Sequence, residues 1–217
     1  MKIPFKYIEA IEKRAWLLGV LTAIAVSLGG LAEIVPLFAA ANAVKAPEGV
    51  KPYSALRLAG FEIYVKSGCY TCHSQMIRHL PFETQRYGLV STAEESVYDR
   101  PMQWGSKRTG PDLARVGGKY SDQWQRAHLM DPRSVMPESN MPKYDWLAAK
   151  PINVQNLQGA MRAMQTLGTP YTDDEIDRAP ADVAGKTQMD ALIAYLQGLG
   201  IENVVQGAEP VHKADKL

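Results

Sequence analysis

The longest apolar stretch of the chain lies near its N-terminus. Residues 15–32 contain no charged residue, and apolar residues resume after Glu33. An α-helix rises about 1.5 Å per residue, so about 20 apolar residues cross the hydrocarbon core of a bilayer. Residues 15–39 therefore predict one transmembrane helix. Trp16 lies at its start, where an interfacial aromatic residue is expected.

The residues before this helix carry a small excess of positive charge. Four basic residues outnumber the two acidic ones: Lys2, Lys6, Lys13 and Arg14 against Glu9 and Glu12. The positive-inside rule then predicts that residues 1–14 are cytoplasmic and that the chain after about residue 40 lies outside the inner membrane. A cleaved signal peptide is the alternative, because residues 41–43 (ANA) match a cleavage site. The apolar run exceeds the usual signal length of about 7–15 residues, so we expect an uncleaved anchor.

Glu33 interrupts the apolar stretch near its outer end. A carboxylate in lipid is costly and usually faces protein, which would place this helix against another membrane subunit. Hydration at the outer end of the helix is an equally good interpretation.

The remaining apolar positions predict helices. Leu56, Ala59, Ile63 and Tyr64 have helical spacing within residues 55–68, and residues 150–168 and 187–200 repeat the pattern. Ser121 or Asp122 begins a predicted helix that stops before Pro132, and the acidic turn after Thr172 begins another. Residues 40–54 predict a linker, residues 74–108 an irregular and rather basic excursion, and residues 201–217 a loose polar tail.

The chain has two cysteines, and both belong to one motif, Cys69-Tyr70-Thr71-Cys72-His73. This is the attachment pattern of a c-type haem. Residues i and i+3 lie on one face of a helical turn, so both thiols can form thioethers with one edge of a porphyrin. His73 can then bind the iron from the proximal side.

Other interpretations of the motif are weaker. A thioredoxin-like redox pair would need a surrounding βαβ pattern, which the sequence lacks. A zinc site would need further ligands, but no second cysteine pair exists, and His79, His128 and His212 lack ligand spacing. The balanced charge, 24 Lys+Arg against 23 Asp+Glu, gives no indication of a nucleic-acid partner.

A c-type haem needs a second axial ligand, and methionine is the usual partner of histidine. Met136 and Met141 each precede a proline on a predicted loop, and either could instead fill the core. Gly110-Pro111-Asp112-Leu113 resembles the class I cytochrome c loop, in which the proline carbonyl accepts a hydrogen bond from the ligand histidine. Arg108 is a candidate contact for a haem propionate, since arginine forms charge-assisted bonds with carboxylates.

Three stretches together resemble one known family. They are residues 68–78 (GCYTCHSQMIR), 103–122 (QWGSKRTGPDLARVGGKYSD) and 137–142 (PESNMP). They are similar to the mono-haem cytochrome c subunit, CcoO or FixO, of the cbb(3)-type cytochrome c oxidase, a C-family haem–copper oxidase. The resemblance covers nearly the whole chain, and its middle motif is more specific than the haem motif.

The resemblance implies a mainly α fold, in which a single N-terminal transmembrane helix precedes a loop-rich, class I-like cytochrome c domain over residues 55–200. It implies one covalent haem c, held by Cys69 and Cys72, with His73 and Met141 as axial ligands; Met136 remains a local alternative. Residues 103–122 are expected to face the catalytic subunit.

The resemblance also implies a function and a location. The chain would be a non-catalytic subunit of a proton-pumping respiratory oxidase in the bacterial inner membrane, with its haem domain in the periplasm. It would relay single electrons from a di-haem cytochrome c subunit to haem b of a catalytic subunit that also carries a high-spin haem and copper. The alternatives are the haem c subunit of a nitric oxide reductase, a membrane-anchored thiol–disulfide protein, and a structural subunit that its haem merely stabilises.

Overall fold

The computed structural model describes residues 5–40, 46, 50–105 and 107–201. The chain divides into two compact units, residues 1–45 and 46–217. The helices of the described part are α1 (Phe5–Glu12), α2 (Ala15–Ala40), α3 (Ala55–Lys66), α4 (Pro81–Tyr87), α5 (Asp122–Met130), α6 (Pro132–Val135), α7 (Val154–Thr166), α8 (Asp173–Asp182) and α9 (Gln188–Gly198). Over these ranges, β-structure is limited to one isolated bridge between Pro151 and Thr187. The predicted mainly α fold is confirmed.

The N-terminal unit consists of α1 and the long helix α2. Residues Ala15–Pro36 of α2 are long and apolar enough to cross a membrane. The span predicted from the sequence, 15–39, ends one residue before α2 does. Glu33 lies inside this helix and is exposed. The predicted N-terminal apolar helix is therefore confirmed.

The core of the second unit forms where α3 packs against α9. Gly60 allows this close approach, because a Cβ at that position would overlap the carbonyl of Ala191. Aromatic rings surround the crossing, with centroids 5.5–5.8 Å apart: Tyr53, Phe61, Tyr64 and Tyr195. Such pairs contribute roughly 0.5–1.5 kcal/mol beyond the burial of their area. The core of this unit is therefore formed by its first and last helices, α3 and α9.

Side-chain caps determine where these helices begin. Ser54, Ser121 and Asn153 accept a backbone hydrogen bond at the starts of α3, α5 and α7, and Thr172 and Thr187 form capping boxes at α8 and α9. Each cap satisfies amide groups that have no partner inside the helix. The predicted helix starts at residues 121–122 and 172 are confirmed. The helix predicted from residue 150 begins later, at Val154, since Asn153 is its cap.

The prediction that residues 74–108 are irregular is wrong in part. The segment contains α4 and a 3-10 turn over Ala93–Ser96. Helix α4 lacks an apolar period because the residue it buries is a carboxylate, Glu83. The predicted linker and tail, and the alternative cleavage site at residues 41–43, lie mostly outside the described residues.

Candidate functional site

The two cysteines lie in one turn directly after α3. Gly68, with a φ of 71°, ends the helix, and the chain then forms a 3-10 turn over Cys69–Thr71. The amide groups of Cys72 and His73 both donate to the carbonyl of Cys69, at 3.2 and 3.0 Å. Cys69 is half-buried, Cys72 is exposed, and neither forms a disulfide. One turn of the chain therefore carries both cysteines, and His73 follows it directly.

His73 is oriented by the loop that contains Pro111. Its Nδ1 lies 2.8 Å from the carbonyl oxygen of Pro111. Because that oxygen can only accept, Nδ1 carries the proton and Nε2 carries the lone pair. The Gly110 amide donates to the carbonyl of Cys72 at 3.0 Å, and a Cβ at Gly110 would overlap the His73 ring. The loop thus lies close against the imidazole and leaves Nε2 available to a metal.

Burial shifts the pKa values of His73 and of Cys69. It lowers the pKa of His73, although the Pro111 carbonyl and the Asp112 carboxylate oppose it. It also raises the pKa of the Cys69 thiol to about 12. At neutral pH the imidazole is therefore neutral, which is the form that binds metals, and the Cys69 thiol is protonated.

The loop that carries Met141 returns to the cysteine turn. Half-buried Met141 packs against the hydrophobic core, whereas Met136 is 55% exposed. Tyr144 follows on the same loop; burial first, and then the nearby Cys69 and Cys72 thiols, raise its pKa. Of the two candidate methionines, Met141 is the one with its side chain towards the interior.

The chain matches a known protein family. A family model described as "cytochrome c oxidase, mono-heme subunit/FixO" matches residues 8–188. The chain belongs to the FixO family. No curated protein matches the chain significantly. As a FixO-family protein, it is a mono-haem subunit of a cytochrome c oxidase complex and takes part in electron transport.

The residues of this FixO-family chain fit the single haem that the family implies. A neutral imidazole with an available Nε2, a half-buried thioether and two unpaired thiols in one turn are the donors that a c-type haem uses. In the described part of the chain, no group of three or more His, Cys, Asp or Glu side chains could hold a metal ion.

The guanidinium of Arg108 forms hydrogen bonds with other residues of the second unit. Its Nε donates to Ser74 Oγ at 2.7 Å, and one terminal nitrogen donates to the Met76 carbonyl at 2.9 Å and to Glu83 at 2.8 Å. Arg108 therefore joins the segment after His73 to α4. Its contact with a haem propionate stays a prediction.

His128 is a residue that the sequence analysis did not select. It stacks on Trp124 within α5, with ring centroids 4.9 Å apart, and its Nδ1 is buried without a hydrogen-bond partner. Burial lowers the pKa of His128, and a positive charge on His73 would lower it further. The i, i+4 spacing of Trp124 and His128 was the available signal.

Proposed function

We propose that this chain is the electron-transfer subunit of a cbb(3)-type haem–copper oxidase and binds one covalent haem c. The observation that carries the proposal is the cysteine turn beside an imidazole whose Nδ1 is fixed by Pro111, in a member of a mono-haem family. Cys69 and Cys72 would form the thioethers, and His73 Nε2 and the Met141 sulfur would be the axial ligands.

Each of these residues has a definite task. The Pro111 carbonyl accepts a hydrogen bond from the Nδ1–H group of His73 and so fixes the tautomer and ring orientation, which raises the basicity of the ligand. Met141 would supply a second ligand to the haem iron, so the bound haem would have no free coordination site for oxygen. When bound, the haem supplies one-electron transfer at the raised potential that His/Met ligation favours.

The proposed location is the bacterial inner membrane, with the haem domain on the periplasmic side. Support comes from the length and apolar composition of α2 and from the basic excess of residues 1–14. Covalent haem attachment in bacteria takes place on that side of the membrane.

The proposed partners are a di-haem cytochrome c subunit as electron donor and a catalytic subunit with haem b, a high-spin haem and copper as acceptor. The family supports membership of an oxidase complex, and the resemblance of residues 103–122 and 137–142 supports the cbb(3) type. Oxygen would be reduced in the catalytic subunit.

One observation argues against the thiol–disulfide alternative. Reactive cysteines have a lowered pKa, because the thiolate is the nucleophile. In this chain, burial raises the pKa of the Cys69 thiol to about 12, so Cys69 is not activated as a nucleophile.

The proposal is tested on the full chain expressed with the haem-attachment machinery. We expect a denaturing gel stained for haem peroxidase to show a band near the 23.9 kDa chain mass, and a reduced-minus-oxidised spectrum to show a sharp low-spin c-type α-band. An unstained chain with two titratable thiols would overturn the proposal. Copper in the co-purified complex supports the oxidase, whereas non-haem iron would indicate a nitric oxide reductase.

A further inference from the structure

The segment after His73 is fastened to the Pro111 loop at several points. The Gly110 amide donates to the Cys72 carbonyl at 3.0 Å, and the Leu113 amide donates to the Ser74 carbonyl at 2.8 Å. The hydrogen bond between His73 and Pro111 lies between these two backbone bonds. The position of the Pro111 carbonyl therefore depends on how firmly the two segments are joined.

The side chain of Asp112 also links the Pro111 loop to the segment after His73. This side chain is fully buried, and one carboxylate oxygen accepts from Ser74 Oγ at 2.5 Å and from the Met76 amide at 2.9 Å. The other oxygen accepts from the Ala114 amide at 2.8 Å. The carboxylate that follows Pro111 thus binds the residue that follows His73, and it also fixes the backbone on its own side.

Two basic and two acidic side chains balance the charge here. Arg108 approaches Asp112 at 3.4 Å and donates to the fully buried Glu83 at 2.8 Å, and Arg78 completes the pairing of Glu83. The guanidinium of Arg108 also donates to Ser74 Oγ. Arg108 and Ser74 both orient towards the Asp112 carboxylate, which lies in a dry environment where a charge acts strongly on its surroundings.

We propose that Asp112 is a positioning residue for the haem ligand: it holds the Pro111 carbonyl against His73 Nδ1 and, with its charge, lowers the reduction potential of the site. This inference rests on the proposed function, since it concerns the potential of the haem that His73 would bind. It assigns a redox role to a side chain that would not touch the haem iron.

Two contributions determine how Asp112 changes the reduction potential, and both act in the same direction. A buried negative charge favours the oxidised, more positive form of a nearby redox group. A firm hydrogen bond from Nδ1 to the Pro111 carbonyl makes His73 a stronger electron donor, which also favours the oxidised form. Removing the Asp112 charge should therefore raise the reduction potential.

The test uses the haem-loaded full chain in detergent with the Asp112→Asn substitution. We expect the one-electron equilibrium to shift towards the reduced form by about tenfold, which corresponds to ~59 mV in a redox titration. We also expect the Nδ1 proton of His73, followed by NMR, to exchange with deuterium faster than in the wild type.

Glu95→Gln is the matched control. Glu95 forms a largely buried ion pair with Arg115, with N···O distances of 2.7 and 2.8 Å. In the part of the chain that the structure describes, Glu95 forms no hydrogen bond with residues 73–76. Loss of the Glu95 charge should lower the free energy of unfolding and leave the reduction potential of the haem unchanged. A potential unchanged in Asp112→Asn, or one that moves equally in both variants, would overturn the inference.

Ser74→Ala provides a second variant in case Asp112→Asn fails to fold. It removes the 2.5 Å bond while keeping the carboxylate, so we expect a smaller rise in potential and faster exchange of the His73 Nδ1 proton. If Ser74→Ala changed neither the reduction potential nor the exchange of the His73 Nδ1 proton, the inference would be overturned. Absence of covalent haem from the wild type would instead overturn the proposed function, so the two failures are distinguishable.

Discussion

At the scale of single residues, Gly110 lies close against the His73 imidazole. A Cβ at Gly110 would overlap the imidazole, so Gly110→Ala must displace either the ring or the loop. We expect a loss of about 1–3 kcal/mol in the free energy of unfolding, as for other overpacked sites, together with a lower yield of haem-loaded protein. Urea unfolding and haem staining per mole of chain measure the two effects.

Gly159→Ala is the control for that substitution. Gly159 lies within α7, and a Cβ there meets nothing within 4 Å. Since alanine favours a helix over glycine by roughly 0.8–1.0 kcal/mol, this variant should be slightly more stable and fully loaded. Equal haem loading in Gly110→Ala and Gly159→Ala would show that the contact with His73 is unimportant.

The two candidate methionines can also be separated at this scale. We expect Met141→Ala to lower the reduction potential by more than the ~59 mV that a tenfold equilibrium change represents, because thioether ligation favours the reduced form. Met136→Ala, at an exposed position, should leave the potential unchanged. The reverse result would make Met136 the ligand, and a Met141→Ala chain with wild-type turnover in the complex would favour the structural-subunit alternative.

At the scale of helices, spacing and capping residues predicted most elements. Helices α3, α5, α8 and α9 follow from apolar spacing or from caps such as Ser121 and Thr172, which are local signals. Helix α4 was missed because it buries Glu83 against Arg108, and a periodicity search does not register a buried ion pair.

The candidate site was predictable to the extent that its residues are adjacent in the sequence. The cysteine motif and His73 are contiguous, and a resemblance supplied Pro111 and Met141. The bond between Ser74 and Asp112 joins residues 38 positions apart, and the orphaned Nδ1 of His128 depends on packing around α5. Nothing local in the sequence indicates such tertiary contacts.

Helix α4 carries a prediction about acid stability. The hydrogen bond from Arg108, supported by Arg78, lowers the pKa of Glu83 from 4.5 to about 2. A carboxylate with a lowered folded-state pKa stabilises the fold fully above its unfolded value, and this contribution is lost as the pH falls towards 2. At about 1.4 kcal/mol per pKa unit, the stabilisation at neutral pH is on the order of 3 kcal/mol.

Urea unfolding between pH 7 and pH 2.5 checks this linkage. Glu83→Gln should be markedly less stable than wild type at pH 7. The difference should shrink as the pH falls below 4.5, because Glu83 of the unfolded wild-type chain is protonated before Glu83 of the folded chain. Asp174→Asn, which removes an exposed carboxylate in the first turn of α8, should keep the wild-type pH dependence. Parallel curves for wild type and Glu83→Gln would contradict the assignment.

At the scale of the whole molecule, the two units have different physical requirements. The second unit has its own hydrophobic core, centred on α3 and α9, whereas α2 exposes apolar side chains between Trp16 and Val35. Exposed apolar surface of that extent is stable in lipid and not in water. We therefore expect the full chain to remain in the membrane fraction after alkaline carbonate extraction.

A chain that begins at residue 46 and is exported by a separate cleavable signal should behave differently. Because it keeps the α3–α9 core and all candidate haem residues, it should be soluble, periplasmic and positive in the haem stain. The intact mass of the full-length protein decides between an anchor and a cleaved signal: an anchor predicts a mass near 23.9 kDa plus one haem. If expression of the full sequence gave a soluble product shortened near residue 43, α2 would be a signal peptide. The attachment of this subunit to the membrane would then have to come from its partners alone.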